Sequence, residues 1–245
     1  MSHPAPGTAW QQPELVDEFL GRRQRLLPML EVEEALIERA FQRHPHPIRR
    51  FLDIGSGGGA MSELILRVVP SAEAVLLDYS EPMLRDAERR GRRSGAAWRV
   101  VRGDLRQPTW AAELPDGGFD AAISGLAIHH LPPERKRELF AEVNELLEPG
   151  ALFVNMDFVA IDGPLRGLFD EEMVSNALAL ERESGGARNH DEISHELLAD
   201  DSDDQPDTAE DQLRWLREAG FASVELYFKW AEAAIFGAVK PGEGR

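Results

Sequence analysis

The sequence predicts an α/β fold built on a mainly parallel sheet with helices on both faces. Three observations predict it. Strand-like and helix-like segments alternate from residue 48 to residue 159. A continuous apolar strand pattern, Phe51-Leu52-Asp53-Ile54, runs directly into the glycine-dense turn Gly55-Ser56-Gly57-Gly58-Gly59, which opens a helix pattern. The last forty residues read as one helix followed by two adjacent strands, an unusual finish for an alternating sheet.

Each element has a local cause. Residues 13–43 read as one or two helices broken near Pro28, anchored by Leu15, Phe19, Leu26, Leu27, Leu30, Leu36 and Ile37. His44-Pro45-His46-Pro47 is a stiff linker. Strand one covers 48–54, and the helix after the glycine turn covers about 60–69. Strand two covers 74–78. Ser80 is the expected cap of the next helix, with Pro82 in its first turn. Strands three and four are expected at 98–102 and 119–124. Pro132 and Pro133 open a helix that ends near 147, stopped by Pro149-Gly150, and strand five follows at 151–159. The alternation lapses after Asp162 for about 45 residues. A helix at 208–219, closed by Gly220, and strands at 223–230 and 233–239 complete the chain.

Composition narrows the function classes. The 245 residues suffice for one large domain, and 42% are hydrophobic, so a substantial core can form. The absence of cysteine removes disulfides, thiolate metal sites and cysteine nucleophiles, and fits a reducing compartment. Residues 1–12 lack the charged start and apolar run of a signal peptide, and no apolar run reaches the length of a membrane span, so the expected location is cytoplasmic. The net charge of -17 opposes binding to nucleic acid or to anionic lipid. Ten carboxylates and no Lys or Arg fall between Asp191 and Asp211. The run Arg85, Arg89, Arg90, Arg92 and Arg93 reads as a solvated helix end, where cations also suit the helix dipole.

The ligand chemistry lies at the ends of the first three strands. Glycines let the backbone come within contact of a ligand, and residues 55–60 also satisfy the loose dinucleotide-binding pattern. Asp53 sits inside the strand just before the glycines, where it would repel a pyrophosphate but suits an ammonium and a sulfonium. Asp78 ends the second strand, where a carboxylate accepts both ribose hydroxyls. Gly103-Asp104-Leu105 follows the third, placing an acid and an apolar residue where an adenine amino group and ring would be met. Asp78 or Asp104 alone reads more often as a turn or helix-cap residue. The joint placement of the three acids at the carboxyl ends of strands one, two and three is what points to one ligand site.

On these motifs the chain resembles the class I S-adenosylmethionine (SAM)-dependent methyltransferases. FLDIGSGGG resembles their first motif, VLLDYSEPML (75–84) their second-strand motif, and VVRGDLRQP (100–108) their adenine-contact motif. FDAAISGLAIHHL (119–131) resembles the fourth-strand motif, and LLEPGALFVN (146–155) the approach to strand five. The resemblance implies a Rossmann-like, seven-stranded sheet of order 3-2-1-4-5-7-6 with strand seven antiparallel, which accounts for the terminal strand pair. It implies SAM as cofactor. Gly55, Ser56, Gly57 and Gly59 would lie against its methionine part, with Asp53 near its amino group. Asp78 would meet the ribose, Tyr79 and Met83 the nucleoside, Asp104 and Leu105 the adenine, and Ser124 would form the floor below the sulfonium.

The stretch Trp215-Leu216-Arg217-Glu218-Ala219-Gly220-Phe221 with Tyr227-Phe228-Lys229-Trp230, and Gln24-Arg25-Leu26-Leu27-Pro28 near the start, resemble a small-molecule subgroup related to carboxy-SAM synthases. In that likeness Arg25 would reach the ligand. Two departures separate the chain from the synthase: its aromatic residue falls at Leu30, and its carboxylate-binding arginine near Leu197.

The expected enzyme is therefore a methyltransferase acting on O, N or C of a small-molecule acceptor, with a homodimer as the assembly considered. The alternatives are a SAM-modifying enzyme, a SAM-binding protein without catalysis, and an NAD(P)-dependent reductase. Residues 1–47 are expected to cover the active site, 48–240 to form the SAM-binding domain, and 162–207 to insert a partly helical cap carrying Phe169, Met173, Leu178 and Leu180. His129 and His130, after strand four, are the candidate catalytic residues, with Asp157 a further candidate near the end of strand five. Asp200-Asp201-Ser202-Asp203-Asp204 lacks the spacing of a calcium loop and reads as solvated. His44, His46, His190 and His195 share no metal spacing, and no metal is assigned.

Overall fold

A computed structural model describes residue 11 and residues 27–161, 163–198 and 204–242. Seven strands form one sheet of order β3-β2-β1-β4-β5-β7-β6. The strands are β1 Arg50–Ile54, β2 Glu73–Asp78, β3 Trp98–Arg102, β4 Phe119–Gly125, β5 Leu147–Phe158, β6 Ala222–Trp230 and β7 Ala233–Val239. Strands β1 to β5 pair in parallel, and β7 runs antiparallel between β5 and β6. The helices are α1 Leu30–Gln42, α2 Ala60–Val68, α3 Glu81–Ser94, α4 Pro133–Leu146, α5 Leu168–Glu183, α6 His190–Leu197 and α7 Ala209–Glu218. This is the Rossmann-like sheet order expected from the sequence.

The sheet is buried on both faces, which is why β1, β2 and β4 read as apolar runs rather than as alternating strands. Leu52, Ile54, Val75 and Leu77 pack on one face with Phe140, Phe153 and Trp215. Phe51, Leu76 and Ile123 pack on the other with Ile37 and Phe41 of α1 and Leu64 of α2. Phe41 meets Phe51 edge-on at 6.2 Å. Each such side chain, fully buried, contributes about 1.5–3 kcal/mol.

Caps set the helix starts. Ser80 Oγ accepts the Met83 amide at 3.3 Å, with Pro82 in the first turn of α3. Thr208 accepts the Asp211 amide at 3.1 Å at the start of α7. Asn189 and Glu192 form a reciprocal capping box on α6. The arginines of α3 face solvent in short-range ion pairs: Arg85 with Glu81, Arg89 with Asp86, and Arg92 with Glu88. The largest boundary difference from expectation is the start of β5, at Leu147 instead of 151. α4 ends at Leu146 and β5 begins at Leu147, before Pro149-Gly150. Leu147 already pairs with Phe119 across an irregularity in the ladder, so the proline lies inside the strand rather than ahead of it.

Candidate functional site

The first half of the site is the turn between β1 and α2. Gly55, Gly57 and Gly59 all have positive φ, at 66°, 51° and 81°. At Gly55 a Cβ would lie 2.3 Å from the Cβ of Ala127, so the loop after β4 closes directly on the bare backbone. Alternation along β1 turns Asp53 toward α2, where its Oδ2 accepts the Ser62 amide at 3.1 Å and the Ser62 hydroxyl at 2.6 Å. Asp78, at the end of β2, joins the turn to its neighbour strand. Its Oδ2 accepts the Gly57 amide at 2.8 Å and its Oδ1 the Ser80 amide at 2.7 Å. Burial raises the pKa of the Asp78 carboxyl, against the lowering effect of those amides. Met83 is buried, with its sulfur beneath Gly57. The Ser56 hydroxyl is buried with no protein partner among the described residues.

At the β3 end, Asp104 accepts three hydrogen bonds from Arg106, from its amide at 3.0 Å and its guanidinium at 2.8 and 2.9 Å. Burial works against the charge there, but the Arg106 bonds outweigh it and hold the Asp104 pKa below the usual carboxylate range. The same guanidinium lies 4.8 Å above the Tyr79 ring, so Asp104 and Tyr79 form one layer through Arg106. Leu105 packs into the core, and its carbonyl accepts Arg135 Nε at 2.7 Å. Ser124 is fully buried and donates to the Ile54 carbonyl at 2.9 Å, tying β4 to the residue before the glycine turn. Arg25 lies outside the described residues.

The second half forms at the ends of β4 and β5. Ile128–His130 make a 3₁₀ turn, with Leu126 just before it at a positive φ of 56°. The His129 amide donates to Asp157 Oδ2 at 3.0 Å, and His129 Nδ1 meets Asp157 Oδ1 in a very short contact. On the other edge of the ring, Nε2 lies 3.3 Å from Asp204 Oδ1. His130 Nδ1 lies 2.9 Å from the same oxygen. His129 is 4% exposed. Burial disfavours its charge, but Asp157 and Asp204 more than compensate and push its pKa up to about 9. The paired imidazoles in turn hold Asp204 well below the usual carboxylate range, against the opposing effect of burial. An imidazole serving two carboxylates carries protons on both nitrogens, so in this arrangement His129 is a charged donor rather than a base.

Asp204, the one residue of the 200–204 run that the structure describes, keeps an exposed side chain, as the solvated reading expects, while its Oδ1 contacts both histidines. Its neighbours are fastened down. The Gln205 amide donates to the His129 carbonyl at 2.9 Å, and Lys136, with no exposed surface, donates to Asp207 at 2.6 Å and to the Gln205 carbonyl. Sequence reasoning missed Asp204, Lys136 and Arg106. The signal for Lys136 was a lysine on the inward side of α4; for Asp204 there was none.

An apolar pocket adjoins this half, lined by Pro28, Met29, Leu126, Met156, Phe158 and Phe169, with Glu33 and Asp157 as its carboxylates. Phe169 of α5 meets Phe158 edge-on at 5.0 Å. Val174 is buried, while Met173, Leu178 and Leu180 are half-buried.

Comparison with known proteins agrees with this architecture. Residues 51–150 match the family described as methyltransferase domain. An uncharacterized methyltransferase of Mycobacterium tuberculosis is 33% identical over 108 residues, 44% of this chain and 50% of that protein. The chain thus spans about half the length of that relative. A carboxy-S-adenosyl-L-methionine synthase of Shewanella amazonensis is 26% identical over 193 residues, 77% of this chain and 74% of that one. Among solved structures, human N-acetylserotonin methyltransferase in complex with SAM superposes with a TM-score of 0.65 at 14% identity, covering 98% of this chain and 60% of that one. The fold is that of the class I methyltransferases. Among the described residues no helix is long and apolar enough to cross a membrane.

Proposed function

We propose that the chain is a SAM-dependent methyltransferase that moves a methyl group to O, N or C of a small-molecule acceptor. The observation that carries this reading is the hydrogen-bonded unit of Asp78 with the Gly57 and Ser80 amides, beside Asp53 and the Asp104 loop at one sheet edge. These residues fit a ligand that joins an amino acid, a sulfonium and a nucleoside. The glycine turn is bare, the Ser56 hydroxyl is buried without a protein partner among the described residues, and the nearest acids would complement a cation. When bound, SAM supplies an electron-poor methyl group.

The residues of the chain do the rest. Asp78 has lone pairs left for two ribose hydroxyls after accepting its two amides. Asp53, fixed by Ser62, faces the amino group, and the Tyr79–Arg106–Asp104 layer borders the adenine. Arg25, outside the described residues, is retained as a proposed ligand contact on the resemblance alone. Ser124 and the His129–His130 turn form the floor toward the acceptor. Phe158 and Phe169 beside α5 would border an acceptor with an apolar body and help exclude water, with its nucleophile about 3 Å from the methyl carbon. His129 orients that acceptor. A net charge of -17 supports a small-molecule partner over nucleic acid.

A SAM-modifying activity is the second reading, favoured by the length of the match to the synthase. It is opposed by Leu30, a core residue, and by Leu197 in α6, since neither reproduces the synthase side chains. Mass spectrometry of the ligand carried by the purified protein separates the two. SAM or S-adenosylhomocysteine, with label from [methyl-³H]SAM appearing on an acceptor, is the expected result. Bound carboxy-SAM would overturn the methyltransferase reading.

A further inference from the structure

We infer that His129 Nε2, His130 Nδ1 and an Asp204 carboxylate oxygen form a binding site for a divalent transition-metal ion, with Asp157 supporting His129 from behind. The three donor atoms lie within 4.8 Å of one another. The distances to Asp204 Oδ1, 3.3 Å from His129 Nε2 and 2.9 Å from His130 Nδ1, are direct hydrogen-bonding contacts in the ion-free chain and also suit donors that share one ion. Metal bonds of about 2.0–2.2 Å set neighbouring donors roughly 3 to 3.5 Å apart.

Three independent features point the same way. The first is the outer partner. A metal-ligating imidazole characteristically gives its other nitrogen to a carboxylate, which fixes the ring and makes it a better ligand. Asp157 takes both the Nδ1 and the amide of His129. The second is charge. Asp157 and Asp204 bring two negative charges against two imidazoles, and the nearby Lys136 is committed to Asp207 and the Gln205 carbonyl. A divalent ion balances both carboxylates with the imidazoles neutral. The third is rigidity. The Gln205 amide bond to the His129 carbonyl and the Lys136 anchor hold the Asp204 segment in register with the histidine turn.

Two imidazole nitrogens and one carboxylate oxygen suit zinc, iron(II), cobalt or nickel rather than calcium or magnesium, and leave coordination positions open. His130 and Asp204 are partly exposed, with side chains 23% and 38% accessible, so those positions reach solvent. If the proposed methyl transfer holds, they would take an acceptor bearing a hydroxyl beside a second oxygen, and the ion would favour its deprotonation. The metal site itself stands on the geometry without that reaction.

The test is cobalt(II) titration of the tag-free, chelator-treated full chain, followed by ligand-field absorption and calorimetry. One equivalent should bind, with a spectrum of mixed nitrogen and oxygen ligation. His130→Ala and Asp204→Asn should each weaken binding at least about tenfold, and Asp157→Asn by about 10- to 100-fold. His190→Ala, which alters the exposed His190–Asp191 pair, should leave it unchanged. Circular dichroism checks that each variant folds. Absence of cobalt binding by the wild-type chain, or binding by folded His130→Ala and Asp204→Asn that equals wild type, would overturn the site. Binding without methyl transfer would leave the site standing and count against the methyltransferase reading alone.

Discussion

The β1–β3 edge of the sheet and the β4–β5 edge are built on different plans. The first is made of short contiguous motifs whose backbones are their main contribution: a glycine turn, one acid per strand end, and a network among neighbours in the sheet. The second is assembled from residues far apart in the chain. His129 follows β4, Asp157 ends β5, and Asp204 arrives from beyond α6. A site of the first kind depends on local conformation and a site of the second on tertiary fastening, so the two should fail differently when mutated.

The largest expected effect falls on the first edge. Gly55→Ala forces a Cβ into Ala127 and a left-handed backbone on alanine, and should cost about 3 kcal/mol of stability. A wild-type denaturation midpoint in urea would show that the turn relaxes freely. On the second edge, Lys136→Ala removes the buried anchor of the Asp204 segment and should cost about 2 kcal/mol, with proteolytic cleavage appearing first near residue 205. Unchanged protease protection there would break the idea of tertiary fastening.

Asp78→Ala should weaken SAM binding by at least about 1.5 kcal/mol in calorimetry, because charge-assisted bonds are lost and Gly57 is released. Equal affinity would remove Asp78 from the ribose. His129→Ala should lower turnover at least about tenfold with near-normal SAM binding. Full activity would take His129 out of the mechanism, and a lost SAM affinity would erase the division between the two edges.

The smallest effect is a pH dependence of the metal-free chain. His129 is raised to about 9 when folded, from about 6.5 when unfolded. Its ion-pair contribution is therefore complete below about pH 6.5 and is lost as pH rises through about 9. Thermal midpoints in a chelator from about pH 6 to about pH 10 should show this loss in wild type and lack it in His129→Gln.

What the sequence made legible follows the same division. The alternating elements were readable because apolar runs, caps and glycines mark the βα units, whereas the strand order and the antiparallel finish followed only from the resemblance to the methyltransferases. Asp53, Gly57 and Asp78 stood out because their spacing from the strand ends is local information. The helix end near Leu147 was placed correctly, but the strand start was set at 151 because Pro149 looks like a stop, while the ladder accommodates it at an irregularity. The contact of Asp204 with the histidines was unreadable because its partner lies 75 positions earlier in the sequence, and nothing in a run of aspartates marks the one that reaches them. The inward position of Lys136 on α4 was legible, but its partner Asp207, 71 positions later, was not.

The most direct test of the adenosyl cradle is a crystal structure of the chain with S-adenosylhomocysteine. The account predicts both ribose hydroxyls on the Asp78 carboxylate, the amino acid part against Gly55 to Gly59, and the sulfur directed toward the His129–His130 turn. A ligand seated away from Asp78 and the glycine turn would contradict it.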